Sequence, residues 1–241
     1  MPEVAINVAA TLPAYLAVPD GEGPWPGVVV IHDAYGMTPD AHRQADWLAS
    51  EGFLAIVPDL FRGGTAAACL KAIMQSTLRR EGQIFDDLET ARGWLAARDD
   101  CTGRLGVIGF CMGGGFALLL APRAGYSAAS VNYGSVPKDV DTLLKGACPV
   151  IASYGAKDWT LKSASSKLER ALEKNDVPHD VEVYAEAAHS FLNDHDPSDV
   201  SVLFRLFAQI IGAGYEEEAA SDARRRIISF FRTYLATSVD S

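Results

Sequence analysis

A cysteine at a strand-to-helix turn is the residue of this chain best suited to chemistry. Gly106-Val107-Ile108-Gly109-Phe110-Cys111-Met112-Gly113-Gly114-Gly115-Phe116-Ala117-Leu118-Leu119 reads as an apolar strand that enters Gly-x-Cys-x-Gly and leaves as a helix. That is the pattern of a nucleophile elbow, with cysteine where serine is more usual. Glycines two before and two after the nucleophile are needed because neighbouring side chains would collide at so sharp a turn, which holds its central residue in a strained conformation. The turn would present the Cys111 sulfur at the top of a sheet. It also lies at a helix N-terminus, whose partial positive charge favours a thiolate. The Met112 N–H is then placed to donate to an oxyanion. The bland alternative is a glycine-rich turn around a buried cysteine.

An activated nucleophile needs a base and an acid that orients it, in the chain order nucleophile, acid, histidine. Asp158 stands in Tyr154-Gly155-Ala156-Lys157-Asp158-Trp159, just past an apolar strand, and His189 stands in Ala187-Ala188-His189-Ser190-Phe191, after the last strand. Open α/β sheets place their sites just past the carboxyl ends of strands. Singly, an Asp after a glycine turn is an ordinary surface cap and a lone His an ordinary structural residue. Their order behind the elbow sets them apart. His42, His179 and His195 fit no strand end and are expected in solvent; His32 adjoins the site or only packs.

Side chains so far apart in sequence can meet only if several strands end on one edge. Short β-rich runs alternate with longer helical patterns, which predicts an α/β fold: a mostly parallel central sheet with helices on both faces. Val4 to Val8 and Ala14 to Val18 read as a leading hairpin, and Gly27 to Ile31 as a strand buried on both faces. Thr38-Pro39 opens a helix that stops at Glu51-Gly52. Phe53 to Val57 is a strand, Gln83 to Arg98 a helix with Ile84, Leu88, Ala91 and Leu95 at helical spacing, and Arg104 to Ile108 a strand. Ser127 to Tyr133, Pro149 to Tyr154 and Asp180 to Tyr184 complete the strands. Helices are expected over Ser163 to Lys174, Val200 to Ile211 and Glu217 to Leu235. Residues 64–82 give no clear boundaries.

At 241 residues with 49% hydrophobic content, the chain reads as a single domain over 1–241. With 21 Lys plus Arg against 31 Asp plus Glu, it carries a net charge of −10, which excludes a global basic field and makes nucleic acid an unexpected partner. The start, Met1-Pro2-Glu3, has no basic n-region, and the longest apolar runs are too short to span a bilayer. A cytoplasmic protein with no membrane association is expected. Cysteines at 69, 101, 111 and 148 form no CxxC pair and meet no clustered histidine. Neither a disulfide framework nor a metal site is expected, and three of the four thiols read as small buried hydrophobes. No cofactor is expected: Gly109-x-Cys-x-Gly-Gly lacks the Lys-Ser/Thr of a phosphate loop, and no dinucleotide fingerprint is present.

From the strand at Val28 through His189 and into the final helix, the chain resembles the dienelactone hydrolase (carboxymethylenebutenolidase) family of α/β-hydrolases. The resemblance rests on Gly109-Phe110-Cys111-Met112-Gly113-Gly114, Pro58-Asp59-Leu60-Phe61, Gly155-x-x-Asp158 and Ala188-His189-Ser190-Phe191. It implies an α/β-hydrolase fold in which Cys111 is the nucleophile, His189 the base and Asp158 the residue that orients it. The family's thiol-controlling glutamate falls on Asp33, one methylene shorter, with a turn-forming residue as the lesser alternative; the second oxyanion N–H falls on Ala34. A substrate-holding arginine of the family falls on Asn193. Arg62, Arg79 and Arg80 are candidates for a second, and Tyr35, Trp159 and Phe191 are further substrate-binding candidates. The stretch 194–214 is an insertion that could act as a lid, a dimer surface or extra core.

The activity implied is hydrolysis of a small-molecule ester or enol lactone through a Cys-His-Asp triad and a thioester, by a monomer or homodimer. An esterase or thioesterase acting on a different, neutral acyl compound is the nearest rival. A non-catalytic thiol-sensing or ligand-binding protein on the same scaffold is the reading of another class.

Overall fold

The computed structural model describes residues 3–7, 11–64, 73, 75–196, 198 and 212–236. Apolar β-branched runs make its centre. Strand β3 (Trp25–Ile31) alternates Val28 and Val30 toward one face and Val29 and Ile31 toward the other, and all four are fully buried. Such burial on both faces is what a strand inside a helix-covered parallel sheet requires. Around it lie β4 (Leu54–Pro58), β5 (Cys101–Phe110), β6 (Ala128–Asn132), β7 (Val150–Gly155) and β8 (His179–Tyr184), all parallel. The leading hairpin, β1 (Glu3–Asn7) and β2 (Thr11–Ala17), adds antiparallel to β4, giving eight strands in the order β1-β2-β4-β3-β5-β6-β7-β8.

The chain steps outward from β3 to β4 and returns on the far side of β3 as β5. Strand order therefore reverses at β3 and β5, and crevices form beyond the carboxyl ends of strands at such a switch point. Helices α1 (Pro39–Ser50) and α6 (Glu217–Leu235) cover one face, where Leu48, Ile227, Phe231 and Leu235 meet Val28, Val30 and Ile108. On the other face α2 (Gln83–Ala96), α3 (Met112–Leu120), the short α4 (Val140–Leu143) and α5 (Ala164–Lys174) pack on Val29, Ile31, Val107, Val131 and Ala152. Each fully buried Leu, Ile or Phe side chain contributes about 1.5–3 kcal/mol.

Most expected elements lie within a few residues of the observed ones. β5 starts at Cys101 rather than Arg104, because its polar first half still pairs with β3 through Trp25 and Cys101. Residues 75–79 are helical, within the stretch the sequence left open. The expected helix Val200 to Ile211 lies outside the described residues, as does Cys69. Cys101 and Cys148 are free and only partly buried, not enclosed as expected. Among the described residues no helix is long and apolar enough to cross a membrane.

Candidate active site

The turn between β5 and α3 carries Cys111 at φ 54° and ψ −113°, a region that strains any residue with a Cβ. It is held there by bonds on both sides. The Cys111 N–H donates to the Asn132 carbonyl at 3.0 Å, and the Cys111 carbonyl accepts the Gly115 N–H at 3.2 Å. The glycines allow the first turn of α3 to press onto the strands: a Cβ on Gly109 would lie 2.0 Å from the Gly113 carbonyl oxygen, and one on Gly113 would lie 2.2 Å from that of Ile31. The collision expected from sequence is thus with backbone, which cannot rotate away as a side chain can. Among the described residues no hydrogen bond occupies the N–H of Ala34 or of Met112, at the ends of the adjacent strands β3 and β5.

Three side chains from three turns then line up. His189 Nε2 lies 3.1 Å from Cys111 Sγ, and His189 Nδ1 donates to Asp158 Oδ2 at 2.6 Å. Asp158 follows β7 and His189 follows β8, and a close approach brings the two turns together. A Cβ on Gly155 would lie 2.5 Å from the carbonyl oxygens of Ala187 and Ala188. Asp158 is also the cap that its local sequence suggested: Oδ1 accepts the Thr160 N–H at 2.9 Å and the Thr160 hydroxyl at 2.5 Å. Burial pushes its carboxyl up, but the bonds from His189 and Thr160 outweigh this and hold it below its ordinary value. Burial likewise disfavours the His189 cation, yet its bonds to Asp158 and Cys111, with their charges, push it up to about 10. The ring is thus set with Nδ1 toward Asp158 and Nε2 toward the sulfur.

Asp33 lies beyond β3, 4% exposed, and makes two bonds. Oδ1 accepts the Tyr35 N–H at 2.8 Å, the turn-forming role, and Oδ2 accepts Nε2–H of His195 at 2.6 Å. Among the described residues no hydrogen bond joins Asp33 to Cys111. The expectation that His195 is solvated is therefore wrong: its ring is nearly buried against Asp33 and meets Tyr35 edge-on at 4.7 Å. The phenol of Tyr35 is pushed up to about 12 by burial and by the nearby Asp33 and Cys111 charges. His32 serves packing. Burial lowers its pKa, Nδ1–H donates to the Asp33 carbonyl at 2.7 Å, and Nε2 accepts the Leu60 N–H at 3.3 Å.

The substrate-binding candidates divide. Phe191 is fully buried against Tyr133 and Tyr184, a core position. Asn193 is 4% exposed and engaged within the protein; its Oδ1 accepts the Tyr133 hydroxyl, and Nδ2 donates to Asp40 Oδ2 at 2.5 Å. A residue tied into the interior in this way is not offered to substrate, contrary to expectation. Arg62 pairs with Asp87 at 2.7 Å and Arg80 with Asp139 at 2.5 Å, whereas Arg79 is exposed with no ion pair among the described residues. Trp159, next to Asp158, is 56% exposed.

Two buried residues were missed. Tyr133, at φ 41° beyond β6, sets its ring edge-on to His189 at 5.3 Å. Asp40 of α1 accepts from Asn193 and, at 3.0 Å, from the Asp194 N–H, anchoring the stretch after His189. Asp40 reads in sequence as an ordinary first-turn acid, and nothing local betrays a partner 153 positions away. Thr160 was passed over as well, although a Thr two residues after an Asp is an Asx-turn signal.

Comparison with known proteins gives the family and the fold. Residues 12–235 match the dienelactone hydrolase family. A Yersinia pestis protein named "Putative carboxymethylenebutenolidase" is 29% identical over 95% of this chain and 86% of its own length. The crystal structure of a "Putative Dienelactone Hydrolase" from Klebsiella pneumoniae superposes with a TM-score of 0.78 at 27% identity, over 97% of this chain and 98% of the other. The dienelactone hydrolase of Anabaena variabilis shares the fold, with a TM-score of 0.70 at 19% identity over 98% of each chain.

Proposed function

Since the chain belongs to the dienelactone hydrolase family and is a carboxylic ester hydrolase, we propose that it cleaves a small ester or enol lactone through a thioester on Cys111, acting as one α/β-hydrolase domain. The observation that carries this reading is the hydrogen-bonded set Cys111 Sγ, His189 Nε2 at 3.1 Å and Asp158 Oδ2 at 2.6 Å from Nδ1, built on a strained elbow. The sulfur, as thiolate paired with the His189 imidazolium, attacks the substrate carbonyl carbon. The electron pair driven onto the carbonyl oxygen is held by the Ala34 and Met112 N–H groups. As the C–O bond breaks, the Nε2 proton passes to the leaving oxygen. Water then gives a proton to His189 and attacks the thioester, and the acid leaves as the thiolate is restored. Asp158 keeps the imidazole oriented and stabilises its cation throughout. Tyr35 and exposed Trp159 flank the set as substrate contacts.

A second reading concerns the acyl group. Arg62 and Arg80 are committed to Asp87 and Asp139, and Asn193 to Asp40 and Tyr133, which favours an uncharged acyl substrate over an anionic lactone. Cys111→Ala is expected to abolish hydrolysis of an activated ester while the circular dichroism stays native. Retained turnover would end the thioester mechanism. Profiling neutral esters beside carboxylate-bearing lactones on the wild type decides between the two substrate classes.

A further inference from the structure

His195 is not part of the Cys111, His189 and Asp158 set, yet it makes a bond of ion-pair geometry with a residue beside that set. It sits at the head of the 194–214 stretch, its side chain 12% exposed, with Nε2–H on Asp33 Oδ2 at 2.6 Å. The groups that face it are Asp33 and Tyr35 from the turn after β3, and Asp40 and Arg43 from α1. Asp33 follows β3 and Cys111 follows the adjacent β5, and the Tyr35 phenol feels both of their charges. A buried, uncompensated carboxylate in that neighbourhood would oppose a thiolate and a developing oxyanion.

We propose, resting on the thioester reading above, that His195 is a positioning residue for the hydrolysis: as an imidazolium it neutralises Asp33 and holds that carboxylate off Cys111, leaving the sulfur to His189 before substrate arrives. Both Asp33 oxygens are already bonded, one to Tyr35 N–H and one to His195. Burial would lower the His195 pKa, but the bond to Asp33, its charge and that of Asp40 raise it, so the cation persists to higher pH than in a free histidine. His195 thus brings its charge to Asp33 from the first residues after Asp194.

The test is the pH profile of Cys111 alkylation by iodoacetamide, read by mass spectrometry of the Cys111 peptide in the full-length protein. His195→Gln is expected to move the midpoint of the profile up by about one unit, an about tenfold slower reaction at pH values well below both midpoints. Asp33→Asn, alone or combined with His195→Gln, is expected to bring the midpoint to within about 0.3 units of wild type, because the charge to be neutralised is gone. A His195→Gln profile that coincides with wild type would overturn the proposal, and so would a double variant shifted as far as the single, the result of a purely structural role. Should His195→Gln fail to fold, Asp33→Asn decides: a midpoint lowered by about one unit or more would mean that Asp33 acts on the thiol unneutralised. Alkylation reads the thiol without reference to turnover, so failure here is distinct from failure of the thioester reading, which Cys111→Ala addresses.

Discussion

Replacing Cys111 by Ala and by Gly separates backbone strain from chemistry, because neither variant has a sulfur and the two differ only in the Cβ. At φ 54° and ψ −113° the Cβ is the source of the strain. Backbone held in such a region costs about 1–3 kcal/mol, which Gly escapes and Ala does not. Against this, Gly loses about 0.5–1 kcal/mol to the greater freedom of its unfolded chain. A half-buried methyl contributes roughly 0.4 kcal/mol more to Ala, half of the value for a fully buried carbon. With strain near the middle of its range, Cys111→Gly should be more stable than Cys111→Ala by about 0.5–1 kcal/mol, the reverse of the order inside a helix. Urea denaturation at pH 7, followed by tryptophan fluorescence and with equal m-values, measures the difference directly. In thermal melts it corresponds to about 1–4 °C. If Ala proved the more stable by about 0.5 kcal/mol or more, the elbow would not be storing strain, and the case for pre-organisation of the sulfur would lose its energetic support.

Two further outcomes follow from the charges and the buried network. The pKa of His189 is raised from 6.5 to about 10 in the fold, so its contribution to stability is complete below about pH 6.5 and is lost as pH rises toward 10; that of Asp158 is lowered, so its contribution is complete above about pH 4 and is lost in acid. The stability excess of wild type over Asp158→Asn, read from urea midpoints, should therefore be larger at pH 5.5 than at pH 9.5, and an equal excess would remove the charged pair from the account. Asn193→Ala leaves the buried Tyr133 hydroxyl unpartnered and Asp40 Oδ2 with only the long 3.5 Å bond from Gln44 Nε2, and should cost about 2 kcal/mol or more in urea denaturation. A cost under about 0.5 kcal/mol, typical of an uninvolved surface position, would show that the network does not hold the stretch after His189.

Much of the site was legible before the fold because its signals are local. A strand entering Gly109-Phe110-Cys111-Met112-Gly113 has few ways to turn, and the same close approach that demands the glycines makes the motif visible in one dimension. Asp158 and His189 were legible because the order of elements requires their turns to share one edge of the sheet. The substrate side was less so. Asn193 and Phe191 sit close to His189 in sequence, but Phe191 points into the core and Asn193 toward α1, a choice set by packing with Tyr133 and Tyr184 and by the carboxylate of Asp40.

The sequence by itself determined the elbow, the order of Cys111, Asp158 and His189, the alternating α/β pattern and the family. Each of these is encoded by residues within a turn or an element of one another, or by the succession of those elements. Only the tertiary structure decided which charges meet. Whether Asp33 faces Cys111 or His195, whether Arg62 and Arg80 face substrate or Asp87 and Asp139, and whether Asp40 is a helix-end acid or a buried anchor depends on contacts between residues 25 to 162 positions apart. Such pairings are settled by the competition between desolvating a charge and finding it a partner, which has no one-dimensional signature until the sheet has brought the partners together.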